Sequence, residues 1–133
     1  MHTNSIYLAV VVLFFYAYDM AADTGNDWAS DAGHFRISIQ TELDPIEINR
    51  IHAWTVTIHT ADGEPVSEAE LTVTGGMPIH DHGMPTRPRV TDNLGDGRYR
   101  LEGMRFHMNG QWEVSIAISV DGISDTVTIA LDL

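Results

Sequence analysis

A chain of 133 residues, 44% of them apolar and carrying a net charge of -12, has enough apolar side chains for one domain with its own core and too few for two. That charge would repel a phosphate backbone or an anionic membrane surface from the molecule as a whole, so no nucleic-acid partner is expected. Cysteine is absent, which excludes disulfides, thiolate chemistry, iron–sulfur ligation, cysteine-based zinc sites and a blue-copper centre, whose metal needs a cysteine sulfur.

From Ile6 to Tyr18 the sequence IYLAVVVLFFYAY is apolar without a break, shorter than the roughly 20 residues of a membrane span and suited to a signal-peptide core. The preceding residues hold no Lys or Arg, and Ala21 and Ala22 make a weak cleavage signal. Residues 1–22 are therefore read as a signal peptide or an uncleaved anchor. Either form delivers the rest of the chain across a membrane, giving a periplasmic or extracytoplasmic location. Membrane contact is expected only through this segment, if it stays uncleaved. Residues 23–33 are polar, contain Gly25 and Gly33, and read as a linker.

Beyond the linker the period is two. Phe35, Ile37 and Ile39 alternate with Arg36, Ser38 and Gln40; Trp54, Val56 and Ile58 alternate with Thr55, Thr57 and His59 until the Ala61-Asp62-Gly63 turn. Ala69, Leu71 and Val73 form a third inward row before Gly75-Gly76. A short strand follows the Asp96-Gly97 turn from Arg98 to Leu101, and Trp112, Val114, Ile116, Ile118 and Val120 give the clearest alternation. After Asp121-Gly122, Val127, Ile129 and Leu131 complete a set of about seven short strands over residues 34–133. This pattern predicts an all-β fold, an immunoglobulin-like antiparallel β-sandwich with Greek-key connections, with Trp54 and Trp112 in its core. Five of the seven arginines fall between Arg87 and Arg105. Ion pairing across strands is the expected use, and an anionic ligand or an acidic partner protein is the alternative.

The chemistry-bearing segment is GGMPIHDHGMP, from Gly75 to Pro85, followed by Met104, His107 and Met108. Four of the six methionines lie between Met77 and Met108, whereas methionines used as gap fillers should be scattered. If Ile79 to Met84 is extended, His80, His82 and Met84 share one face. Thioethers favour Cu(I) over hard cations, and imidazole suits both copper states and zinc, so the set points to copper, with Cu(I) ahead of Cu(II) and zinc further behind. His80, His82 and His107 alone would instead hold Cu(II), or zinc with an open position. In the second cluster Met104, Phe106 and Met108 share a face opposite Arg105 and His107. Phe106 marks that face as the core side and leaves His107 pointing outward, unless the methionines floor the site. Structural roles are expected for His34, His52 and His59, with His52 a partly buried, satisfied histidine beside Trp54.

The chain resembles the FixH-like or YtkA-like domain family. The resemblance runs from Asn49-Arg50-Ile51-His52-Ala53-Trp54 through Asp62-Gly63-Glu64-Pro65-Val66 to Met77–Thr86, with its M-P-x-H-x-H-G-M-P-T element. It continues with Gly95-Asp96-Gly97-Arg98-Tyr99 and Gly103-Met104-Arg105-Phe106-His107-Met108, and ends at Gly110-Gln111-Trp112-Glu113. It implies an immunoglobulin-like fold, an exported or membrane-tethered location and a role in copper binding or delivery. It marks His80, His82, Met84, His107 and Met108 as the metal-site residues. The expected function is an exported copper-binding protein that buffers the ion or passes it to an oxidase or another copper enzyme. No catalytic residue and no enzymatic activity are expected. A metal-free interaction module and a small zinc or copper enzyme built on the three histidines are the alternatives.

Overall fold

Nine strands and no helix make up the regular structure of residues 26–133, the part of the chain described by the computed structural model. The apolar segment 6–18 and the targeting assignment for residues 1–22 lie outside the described residues. One sheet orders β1 (Asp27–Ala29), β2 (Phe35–Thr41), β3 (His52–Thr60), β7 (Arg98–Met104) and β6 (Arg89–Gly95) as β1-β2-β3-β7-β6. The other orders β5 (His82–Gly83), β4 (Glu70–Met77), β8 (Gln111–Val120) and β9 (Ile123–Asp132) as β5-β4-β8-β9. Every pairing is antiparallel. With β2, β3, β7 and β6 as strands A, B, E and D, and β4, β8 and β9 as C, F and G, this is the immunoglobulin-like arrangement, β5 adding a short C′.

The alternation seen in the sequence is the alternation of burial. Ile37, Trp54, Val56, Ile58 and Leu101 from one sheet meet Trp112, Val114, Ile116, Ile118, Val127 and Ile129 from the other, all essentially excluded from solvent. Burial of each such side chain contributes about 1.5–3 kcal/mol. His52, as expected, is buried and satisfied: its Nε2 accepts the Trp54 indole N–H at 3.1 Å and its Nδ1 lies 3.0 Å from the Arg50 carbonyl oxygen. Gly97, at φ 74°, turns β6 into β7 so close to β3 that a Cβ there would sit 2.5 Å from the Ile58 carbonyl oxygen, a position only glycine fills without displacement.

Two departures from the sequence reading concern the edges. Residues 27–29, expected in a linker, form β1, which pairs Trp28 with Ile37; three residues are too few for an alternation to show. β6 also escaped the pattern, because its burial is almost uniformly low and its pairing with β7 shifts register twice, as edge strands commonly do.

The β1–β2 hairpin is fastened to the opposite sheet by one carboxylate. Asp125 of β9 is buried and accepts hydrogen bonds from Ser30 Oγ at 2.6 Å and from the backbone N–H groups of Ala32, His34 and Thr126. His34 Nδ1 lies 3.2 Å away. Among the arginines, Arg100 bridges Glu42 at 2.7 Å, the expected use across strands, and Glu102 of its own strand at 3.1 Å.

The topology sends three connections to one end of the sandwich: residues 42–51 between β2 and β3, 78–81 between β4 and β5, and 105–110 between β7 and β8. The first and third of these, with the C-terminus, are stitched together there. The Asn49 N–H donates to the Phe106 carbonyl at 2.7 Å, Arg105 Nη2 donates to Asn49 Oδ1 at 3.2 Å, and Gly110 exchanges both backbone bonds with Leu133.

Burial alone pushes the Asp125 carboxyl up, but the Ser30, Ala32, Thr126 and His34 donors outweigh it and hold the group well below its ordinary value. A depressed folded-state value means that this stabilisation is complete above the unfolded value near 4 and is lost as the pH falls below it. Asp125→Asn is expected to lower the urea midpoint at pH 7 and to flatten the loss of stability between about pH 5 and pH 2. Equal pH slopes for variant and parent would contradict this account of the lock.

Candidate metal site

β4 ends at Met77 and β5 begins at His82, the two residues being directly paired. Between them the Met77 carbonyl accepts the His80 N–H at 3.1 Å. Pro78 occupies the first corner of that turn, where its fixed φ is favourable. Asp81 follows at φ 51°, a left-handed conformation that aspartate tolerates better than most residues. The segment Ile79–Met84 is thus a hairpin and not an extended strand, which corrects the expectation that His80, His82 and Met84 line one face. His80 sits in the turn, while His82 and Met84 flank Gly83 on the returning arm. The turn still holds the two exposed imidazoles together, with ring centroids 6.3 Å apart.

The third imidazole comes from the β7–β8 connection. Met104 and Phe106 point into the core, both 0% exposed, as the aromatic marker predicted. The alternation ends there, since Met108 is 38% exposed and does not share their face. His107, half-buried, has its ring centroid 6.2 Å from that of His82 and 5.4 Å from Trp112, nearly perpendicular to the indole. Its Nδ1 is buried and has no hydrogen-bond partner. Buried polar nitrogens are almost always paired; here both His107 Nδ1 and Arg105 Nε of the same connection lack a partner.

His82 therefore stands between His80 and His107, its neighbours on either side. With a metal–imidazole bond of about 2.0–2.1 Å, two imidazoles on one ion have their ring centroids within roughly 6 Å, and both pairs, at 6.3 and 6.2 Å, stand just beyond that reach. Among the described residues no three His, Asp or Glu side chains converge closely enough to hold one ion. The donors form a row with His82 at its centre and no common focus for all three.

Of the methionines, Met77 is 1% exposed and packs in the core together with Met104. Met84 is half-buried against the core, and its methyl group occupies the space in front of Gly75, where a Cβ would come within 2.7 Å of it. An open groove of about 410 Å³ beside the hairpin is lined by Gly75, Gly76, Asp81, His82 and Glu113. Its two carboxylates give it a negative potential, which concentrates cations. One contributor is not legible in the sequence. Trp112 was assigned to the core alone, although a buried indole N–H needs a partner and so points to a neighbouring loop.

A sequence model of the YtkA-like family matches residues 30–117, from the first hairpin into β8, a stretch that contains His80, His82, Met84, His107 and Met108. Among solved structures the chain is similar to the ZirS C-terminal domain, at 17% identity over 98% of this chain and 86% of that one, with a TM-score of 0.45. No curated protein matches it.

Gly75 has an ordinary strand backbone, so Gly75→Ala leaves the chain path free and pushes only against the flexible tip of Met84. The substitution is expected to keep the fold and to turn the Met84 thioether outward, where hydrogen peroxide oxidises it faster. Peptide mass spectrometry reads the Met84 sulfoxide directly, and an unchanged rate would show that the methyl group is not held by the missing Cβ.

Proposed function

The chain belongs to the YtkA-like family, and from that premise we propose that it is an exported copper-binding protein that buffers the ion or delivers it to a copper enzyme or oxidase. The observation that carries this reading is the row of imidazoles from two separate segments, His80 and His82 on the β4–β5 hairpin and His107 on the β7–β8 connection, with neighbouring ring centroids 6.3 and 6.2 Å apart. Copper is the cargo. His82 receives it, with His80 or His107 as the second imidazole and the Met84 or Met108 thioether as the soft donor that favours Cu(I) over Cu(II) and zinc.

Exposure of the row suits transfer. An ion held by two or three exchangeable side chains at the surface passes to an acceptor one ligand at a time. Ile79 and Ile51, 74% and 66% exposed, stand on connections at the same end of the sandwich and offer apolar contact to that acceptor. Delivery across a membrane by residues 1–22, cleaved or retained as an anchor, places this chemistry in the periplasm or another extracytoplasmic space. No catalytic step is proposed for these residues. The same two exposed isoleucines support a second reading, a metal-free interaction module that meets its partner through this end.

A titration of the purified protein with Cu(I) against a chromophoric chelator separates the readings. One ion per chain is expected, with affinity lowered at least about 100-fold in the His80→Ala/His82→Ala double variant. Bound copper should also raise the thermal midpoint, because the ion is held by the folded state. Negligible uptake by both proteins, with unchanged midpoints, would favour the interaction module.

A further inference from the structure

We infer that Trp112 is a positioning residue for this site, holding His107 and Met108 where copper can use them; the inference rests on the copper reading above. Ligating histidines are normally oriented by a hydrogen bond from the second ring nitrogen to a carboxylate or carbonyl group. His107 has no such anchor on its buried Nδ1. Its orientation comes from packing, and the surface it packs on is the indole of Trp112, 5.4 Å away between centroids at an interplanar angle of 76°.

The same indole fixes the backbone next door. Trp112 Nε1–H donates to the Met108 carbonyl at 3.0 Å, midway between the two other ties of the connection, Asn49 N–H to Phe106 and the Gly110–Leu133 pair. Trp112 is itself enclosed by the core. It lies 1% exposed on the inward row of β8, paired with Leu131, and its ring meets Phe106 at 5.2 Å and 75°. One side chain rooted in the second sheet thus sets both the ring of His107 and the peptide of Met108. His82, across the gap from His107, is carried by β5 of the same sheet, so the two sides of the row share a rigid base.

Trp112→Phe keeps an aromatic ring on β8 and removes the indole N–H. Val114→Ala, at the next inward position of β8, serves as the control for core damage alone. Both variants are expected to lower the thermal midpoint. Only Trp112→Phe should lower Cu(I) affinity, by roughly 10- to 100-fold as for other groups that orient a ligand, and should shift the His107 ring signals in the NMR spectrum of the copper-free protein. Trp112→Phe with parental affinity and parental His107 signals overturns the inference, as does an equal loss of affinity in Val114→Ala. Should Trp112→Phe fail to fold, the parent protein supplies the test: Cu(I) should shift the Trp112 indole N–H resonance and spare that of Trp54, which is bonded to His52. An unshifted Trp112 signal on a copper-loaded protein overturns the positioning role alone. A parent protein that takes up no copper overturns that role together with the copper reading, a result told apart by the absence of any bound metal.

Discussion

The register between β4 and β8 is the constraint on which the candidate site depends. It runs without a shift from Glu70–Ser119 to Gly76–Glu113, which brings the Met77-Pro78 corner beside Trp112. Because strand side chains alternate, a slip of one residue would turn Val73 and Met77 to solvent and send polar residues inward. That alternative loses the burial of a whole inward row, so the core fixes where the histidine hairpin emerges. The β7–β8 connection is placed by the same logic from the other side, since β8 begins where that connection ends. Two sequence segments about twenty residues apart therefore meet because two β-strand registers leave them no other place.

The sandwich was legible in the sequence because burial on one face writes itself as a period of two. Phe35–Ile39, Trp54–Ile58 and Trp112–Ile118 each bury alternate residues in the core, and each was recognised. Elements that bury little leave no such trace: β1 has three residues, β5 has two, and β6 is bulged and mostly exposed. The site was legible in composition and not in conformation. The sequence showed His80, His82 and His107 as candidates, but the extended reading of Ile79–Met84 overlooked that Pro78 followed by Asp81 is turn chemistry. The part Trp112 plays beside the site is not legible for a related reason, since it acts through an indole N–H, which leaves no pattern along the chain.

The arrangement has the physical character that the proposed carrier role requires. The fully buried thioethers of Met77 and Met104 belong to the core, while the imidazoles sit at the rim of the sandwich. Nineteen acidic residues, two of them beside His82, draw cations toward that rim. A row of donors without a three-way focus binds less tightly than a closed cage, and modest affinity with open access is what handing an ion to another protein requires. A structural site would be closed and its ligands buried. Here the rigid parts, the β8 row and the stitched connections, carry donors that remain reachable from solvent.

The most direct test of the central claim, that copper is held at His82 by imidazole and thioether together, is X-ray absorption at the copper edge on the loaded protein. The account predicts a Cu(I) edge, a shell containing imidazole nitrogen from two histidines and at least one sulfur scatterer, with the imidazole signal reduced in His82→Ala. A shell of light atoms without imidazole features, or a spectrum unchanged by His82→Ala, would contradict it.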